Sequence, residues 1–138
     1  MRIELHADGP VPADVAWQRY IVPDRWSMWS PQITGVDCAD QVLTAGTTGR
    51  VRTLFGVSLP FEVLDLDHAD RSWRWSVHGP FGVRLTLHHA VTATADGTTT
   101  NLTMHGPAVL VLGYAPLAQL ALRRLVTRPA GSAAEPPG

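Results

Sequence analysis

Residues 83 to 105 read VRLTLHHAVTATADGTTTNLTMH, and no other stretch constrains the fold as much. Leu85, Leu87, His89 and Val91 fall on one parity, while Arg84, Thr86, His88 and Thr92 fall on the other. A period of two is that of a β-strand with one buried face. Beyond Asp96-Gly97 the alternation resumes, with Leu102 and Met104 set against Asn101, Thr103 and His105. Asp-Gly between two such runs signals a two-residue hairpin. If Ala95 pairs with Thr98, Val91 faces Leu102, His89 faces Met104 and His88 faces His105. One face is apolar and the other wet, as in an antiparallel sheet that packs on one side only.

Further strands precede this hairpin. Arg2 to Ala7 alternates, with Ile3 and Leu5 inward, and Ile33–Cys38, Thr48–Leu54, Leu59–Asp67 and Ser72–His78 are strand candidates between Gly, Pro and Asp breakers. In Leu59–Asp67, Phe61 and Val63 favour one parity and Leu64 and Leu66 the other, so a bulge is expected. Two helices separate the first strand from the second. One opens at Pro12 with Asp14 in its first turn, and a shorter one runs from Asp24, a natural N-cap, to Trp29. Within the latter, RWSMWSP sets Trp26 and Trp29 on one side at i, i+3 spacing. Ser30-Pro31 stops it, because the residue before proline is pushed out of helical geometry. The last element is an apolar helix over Ala108–Thr127, with Leu110, Tyr114, Leu117, Ala121 and Leu125 as its stripe. Residues 129–138 are rich in Pro, Gly and Ala and read as a flexible tail after a single domain over 1–128.

At 138 residues the chain can bury a sizeable core. A net charge of −1 gives no electrostatic reason to expect nucleic acid. The single cysteine, Cys38, excludes an internal disulfide framework. The alternating start lacks the apolar run of a signal peptide, which points to a cytoplasmic protein. Residues 107–122 fall short of the roughly 20 apolar residues of a spanning helix and contain Gly113 and Pro116, so no transmembrane segment is expected.

The order of strand, two short helices, six strands and long helix is that of the α+β helix-grip fold. There, a curved seven-stranded antiparallel sheet wraps a C-terminal helix. The motifs PADVAW at 12–17, DRW at 24–26, WSP at 29–31, AGT at 45–47, RSWR at 71–74 and DGT at 96–98 follow in the order of one family. The chain resembles the SRPBCC superfamily (START-like and birch-pollen-allergen-like proteins), and within it the small bacterial polyketide cyclase/dehydrase-like group, over about residues 2 to 127. The resemblance implies an apolar pocket between sheet and helix, and no cofactor.

The residues nominated for that pocket are Leu85, Leu87, Leu102 and Met104 from the hairpin, Trp73 and Trp75 from the strand before it, and Phe61. Tyr114 and Leu117 would enter from the long helix, and Tyr20, Trp26 and Trp29 from the rim formed by the short helices. Trp29 is expected to plug the open end, with Trp26 turned toward a ligand. Each apolar position is equally at home in an ordinary core. His89 is the only ionisable group on its apolar face, and a buried polar group needs a partner. It is therefore the candidate acid or base, with Tyr114 and either Glu62 or Asp65, depending on strand phase, as catalytic partners. The resembling aromatase/cyclases tend to carry an arginine in the fourth strand. Here the arginines, Arg50 and Arg52, lie on the strand before it. No metal-ligand spacing, phosphate loop or nucleophile motif occurs, and His88 with His105 reads as a solvated outer pair.

Two functions follow. One is a cofactor-independent cyclase or dehydratase for a polyketide-like or other apolar natural-product intermediate, in which positioning does most of the work. The other is a non-catalytic binder or carrier of a hydrophobic small molecule or lipid. A homodimer is open on either reading.

Overall fold

The structure is a computed structural model that describes residues 1–54 and 56–129. The expected tail therefore lies, from residue 130 onward, outside the described residues. The element order is β1 (Arg2–Gly9), α1 (Ala13–Ile21), a 3-10 turn (Pro23–Arg25), α2 (Trp26–Trp29), β2 (Ile33–Cys38), β3 (Thr48–Thr53), β4 (Ser58–Asp67), β5 (Ser72–His78), β6 (Arg84–Thr94), β7 (Gly97–His105) and α3 (Ala108–Thr127). The strands form one antiparallel sheet in the order β1-β7-β6-β5-β4-β3-β2. The chain crosses from one sheet edge to the other through α1 and α2, and every later connection joins neighbours. This is the helix-grip architecture.

The β6–β7 hairpin departs from the expected register by two residues. Thr94 pairs with Gly97, so Ala95 and Asp96 make the turn and Gly97 begins β7. His89 then faces Leu102, Leu87 faces Met104 and Val91 faces Thr100. Because the shift is even, every side chain keeps its face although its partner changes. The expected His88–His105 pair is lost, since His88 lies opposite Thr103 and His105 opposite Thr86. Gly97 serves close approach instead of the turn centre. A Cβ there would lie 2.1 Å from the carbonyl oxygen of Gly9 at the end of β1.

The β4 ambiguity resolves as a bulge. Val63 pairs with Trp75 and Asp65 with Arg74, which leaves Leu64 as the extra residue. Phe61, Val63 and Leu66 consequently point inward, and Glu62, Asp65 and Asp67 point to solvent.

α3 packs along β1 and β7. Its buried stripe is Val111, Ala118, Ala121, Leu122, Leu125 and Val126, rotated from the expected one. Leu110 and Leu117 lie on its flanks, 40% and 39% exposed. The helix is apolar nearly all round, so hydrophobicity alone does not select its inner face. The small side chains of Ala118 and Ala121 do, because they let the backbone approach the sheet. By length and composition α3 is long and apolar enough to cross a membrane. Here its inner face completes the core.

The end of α3 is held by Arg19, which is completely buried. Its guanidinium donates to the carbonyls of Leu125 (2.6 Å), Arg128 (2.8 Å) and Pro129 (3.2 Å). A cation on the terminal carbonyls satisfies acceptors that an α-helix leaves open and complements its dipole.

Candidate functional site

Two adjoining cavities lie between the sheet and α3. The outer one has a volume of about 330 Å³. Its walls are apolar: Ile33, Val51, Leu59, Val77 and Leu85 come from five successive strands, and Leu110 closes it from α3. At its mouth stands Phe81, fully exposed and held at φ 62° in the turn between β5 and β6. A volume near 300–1,000 Å³ with few polar groups is typical of small-molecule sites.

The polar side chains lining this cavity are Thr53, whose hydroxyl donates to the Val57 carbonyl at 3.0 Å, and one pair. The Gln32 side-chain amide donates to the Tyr114 hydroxyl, and both residues line the cavity. Tyr114 lies in the second turn of α3, while Gln32 sits between the Ser30-Pro31 stop and β2. The loop there is fixed by the Leu54 amide, which donates to the Gln32 carbonyl at 3.1 Å. Burial pushes the Tyr114 phenol up to about 12, the bond from Gln32 opposing it, so the hydroxyl keeps its proton at neutral pH. Gln32 Oε1 is buried and finds no partner among the described residues. The outer cavity thus offers hydrocarbon walls, a neutral hydroxyl and one open amide acceptor.

The inner cavity is much smaller, about 20 Å³, and is lined by Trp26, Trp29, Trp73, Leu87, His89 and Leu102 among others. Trp75, Ile33 and Tyr114 line both cavities and form the wall between them. His89 is 4% exposed, lies behind that wall and does not line the outer cavity. Its ring stacks on Trp73 (centroids 4.9 Å apart, interplanar angle 14°) and contacts Tyr20 at 4.7 Å. The Trp75 indole donates to His89 Nε2 at 3.1 Å. An accepting Nε2 places the proton of the neutral ring on Nδ1. Burial, with a smaller contribution from the neighbouring His88, pushes the His89 pKa down to about 3. The imidazole is therefore neutral at pH 7, with its basic nitrogen occupied.

The tryptophans of RWSMWSP have a structural task. The last four carbonyls of α1 need partners outside the helix. Gln18 O receives the Val22 amide at 3.1 Å and Ile21 O the Leu43 amide at 2.8 Å. The other two receive indoles: Trp29 Nε1 donates to Arg19 O at 3.0 Å, and Trp26 Nε1 to Tyr20 O at 2.8 Å. All four acceptors are thereby satisfied. Trp26 and Trp29 are 1% and 6% exposed, so both are buried caps, and Trp26 stands at the inner cavity instead of the mouth. The Asp24 side chain makes no capping bond to either short helix.

The structure divides the remaining nominated residues into groups. Trp75, Leu85 and Tyr114 line the outer cavity. Trp73, Leu87, His89 and Leu102 line the inner one. Tyr20, Phe61 and Met104 are fully buried core, the Tyr20 hydroxyl bonded to Thr100 Oγ1 at 2.6 Å. Leu117 sits on the outer flank of α3 and lines neither cavity. Neither carboxylate points inward. Glu62 is exposed, and Asp65 is bonded on the outer face to Arg74 at 2.5 Å, because the bulge at Leu64 resets the phase between them. Arg52 likewise faces out, 3.3 Å from Asp37. The sequence did not nominate Gln32, Ile33, Val51 or Leu59 for the pocket, and gave Val77 only as in phase with Trp75 and Leu110 only as part of the α3 stripe. The strand residues among them share the inward parity of Trp75 or Phe61, a signal that was present; Gln32, in a loop after proline, carried none.

Solved structures with this fold include Ara h 8.0201, at a TM-score of 0.73 and 12% identity, covering 91% of this chain and 94% of that one. Ginseng major latex-like protein 151 from Panax ginseng has a TM-score of 0.73 and 14% identity, over 91% and 94% of the two chains. The di-domain ARO/CYC BexL from the BE-7585A biosynthetic pathway reaches 0.76 at 14% identity, over 91% of this chain and 45% of that one. At such identities the likeness is one of fold. No curated protein matches the sequence. The model of one family, described as polyketide cyclase / dehydrase and lipid transport, matches residues 2–133. The sheet gripping α3, the cavity between them and this match over nearly the whole chain agree: the chain belongs to the polyketide cyclase/dehydrase and lipid transport family.

Proposed function

We propose that this protein binds a compact apolar small molecule in the outer cavity, with one polar group of that molecule against Gln32 and Tyr114. The observation that carries this reading is the composition of the cavity: mostly hydrocarbon walls around about 330 Å³, and no carboxylate, histidine or arginine lining it among the described residues. Burial of apolar area supplies affinity at about 25 cal/mol per Å², and the two polar groups fix orientation. The volume lies near the lower end of the usual range, which favours a compact ring system over a long acyl chain.

Native mass spectrometry of freshly purified protein tests this reading. A co-purifying neutral or weakly polar molecule, released on denaturation and lost from a Leu85→Trp variant that fills the cavity, is the expected result. Ligand retained equally by that variant would place binding elsewhere.

A cyclase or dehydratase is the second reading, and one observation favours it. The Tyr114 hydroxyl, backed by the Gln32 amide, is a proton donor at the edge of an otherwise apolar cavity. A polyketide-like intermediate folded there would gain most of its acceleration from positioning. The enol carbon of the intermediate would attack the carbonyl, whose oxygen takes the Tyr114 hydroxyl proton while the enol O–H returns one to the phenolate. His89, walled off by Trp75, would act on the shape of the site and not as its base. Cyclisation of a polyketide-like diketone that is lost in Tyr114→Phe and kept in His89→Phe is the outcome this reading requires.

A further inference from the structure

The inner cavity holds an unexplained pair of polar groups. Trp73 and His89 both line it, at 1% and 4% exposure. Trp73 Nε1 and His89 Nδ1 are buried with no hydrogen-bond partner among the described residues. Since His89 Nε2 accepts the Trp75 indole N–H, the proton of the neutral imidazole sits on Nδ1, and both orphan groups are N–H donors. Orphaned donors so deep in a core are costly, and a hydrocarbon side chain at either position would avoid the cost. Trp73 and His89 are direct partners across β5 and β6, and their rings stack, so the two donors belong to one small region. The space beside them, about 20 Å³, holds one oxygen atom or one water and no ring.

We propose that the inner cavity is a second subsite of the ligand pocket, in which Trp73 Nε1–H and His89 Nδ1–H receive a neutral acceptor oxygen, a carbonyl at the leading end of the ligand. The inference rests on the apolar-ligand reading of the outer cavity and adds the chemical class of the group that goes in first. A carboxylate is excluded by size, and a hydroxyl is a weaker match because both protein groups donate. Trp75 borders both spaces and is the part of the wall a ligand meets, held by its hydrogen bond to His89 and by ring contacts with Trp26, Phe61 and Trp73.

Two probes of nearly the same shape separate the possibilities: 2-acetonaphthone, which carries the carbonyl, and 2-isopropenylnaphthalene, in which a methylene replaces the oxygen. Calorimetry gives their affinities. Nitrogen-15 NMR of the labelled protein gives the indole resonance of Trp73 and the ring nitrogens of His89. The ketone is expected to bind about tenfold more tightly than the hydrocarbon and to move both resonances, which the hydrocarbon leaves in place. In Trp73→Phe the preference should shrink to about twofold, while hydrocarbon affinity is kept. The spectra of the wild-type protein carry the test if that variant fails to fold. Equal affinities with unmoved Trp73 and His89 resonances overturn the inner subsite and leave the outer pocket standing. Failure of both probes to bind overturns both.

Discussion

Between pH 7 and pH 4.5 this protein should lose more stability than its His89→Phe variant. His89 is 4% exposed, its ring faces Tyr20 from α1, Trp73 and Trp75 from β5 and Leu102 from β7, and no carboxylate lines the inner cavity beside it. Its pKa falls from the ordinary 6.5 to about 3, first through burial and then through His88. A histidine with a depressed folded pKa binds its proton more readily when unfolded, so acid favours unfolding throughout the window between the two values. At about 1.4 kcal/mol per pH unit, the gap between 6.5 and about 3 amounts to about 5 kcal/mol when fully expressed. Integrated from pH 7 to 4.5 it comes to about 2.5 kcal/mol. Urea unfolding of both proteins at several pH values isolates this contribution, because every other titrating group is shared. The wild-type curve should descend about 2.5 kcal/mol further than that of the variant, whatever the offset between them at pH 7. Parallel curves would mean that His89 ionises in the folded protein, and they would refute the sealed, neutral histidine of the inner cavity.

Other consequences are open to the same kind of measurement. Tyr114→Phe removes the partner of the Gln32 amide and should cost about 1–3 kcal/mol in urea unfolding, with Gln32→Leu in the same chain recovering part of it. Trp26→Phe orphans the buried Tyr20 carbonyl at the end of α1 and should destabilise by about 2–4 kcal/mol, a larger effect than Leu117→Ala on the open flank of α3. Arg19→Met strips three carbonyls at the end of α3 of their donor and should cost about 3 kcal/mol, with amide exchange accelerated first at 122–128. Asp65→Asn, by contrast, breaks only an exposed pair with Arg74 and should change stability by less than about 1 kcal/mol and ligand binding not at all.

The architecture was legible because alternation is robust to the errors that sequence reasoning makes. The β6–β7 register slipped by two residues when Gly97 was spent on close contact with Gly9 instead of on the turn. The slip was even, so the inward set of Leu85, Leu87, His89 and Val91 survived it. The conflict of parity in β4 was visible as a bulge, but only the structure shows that Leu64 is the extra residue and that Glu62 and Asp65 both end outside. α3 was legible in extent and not in orientation. A helix apolar on most sides leaves the choice of face to the fit of Ala118 and Ala121 against the sheet. His89 stood out in the sequence, yet the sequence could not show that Trp75, on the neighbouring strand β5, would stand between it and the larger cavity. Gln32 was invisible for the opposite reason. It belongs to no periodic segment, and only the third dimension brings it to Tyr114, 82 residues away.

On this reading the apolar cavity between β2–β6 and α3 is where a small molecule binds. Calorimetric titration with 2-acetonaphthone, on the wild-type protein and on Leu85→Trp, addresses it most directly. Micromolar binding with a negative heat-capacity change is expected in the wild type, and a loss of at least about tenfold in the variant at unchanged thermal stability. Equal affinity in the two proteins, or no binding by a stable wild type, would contradict it.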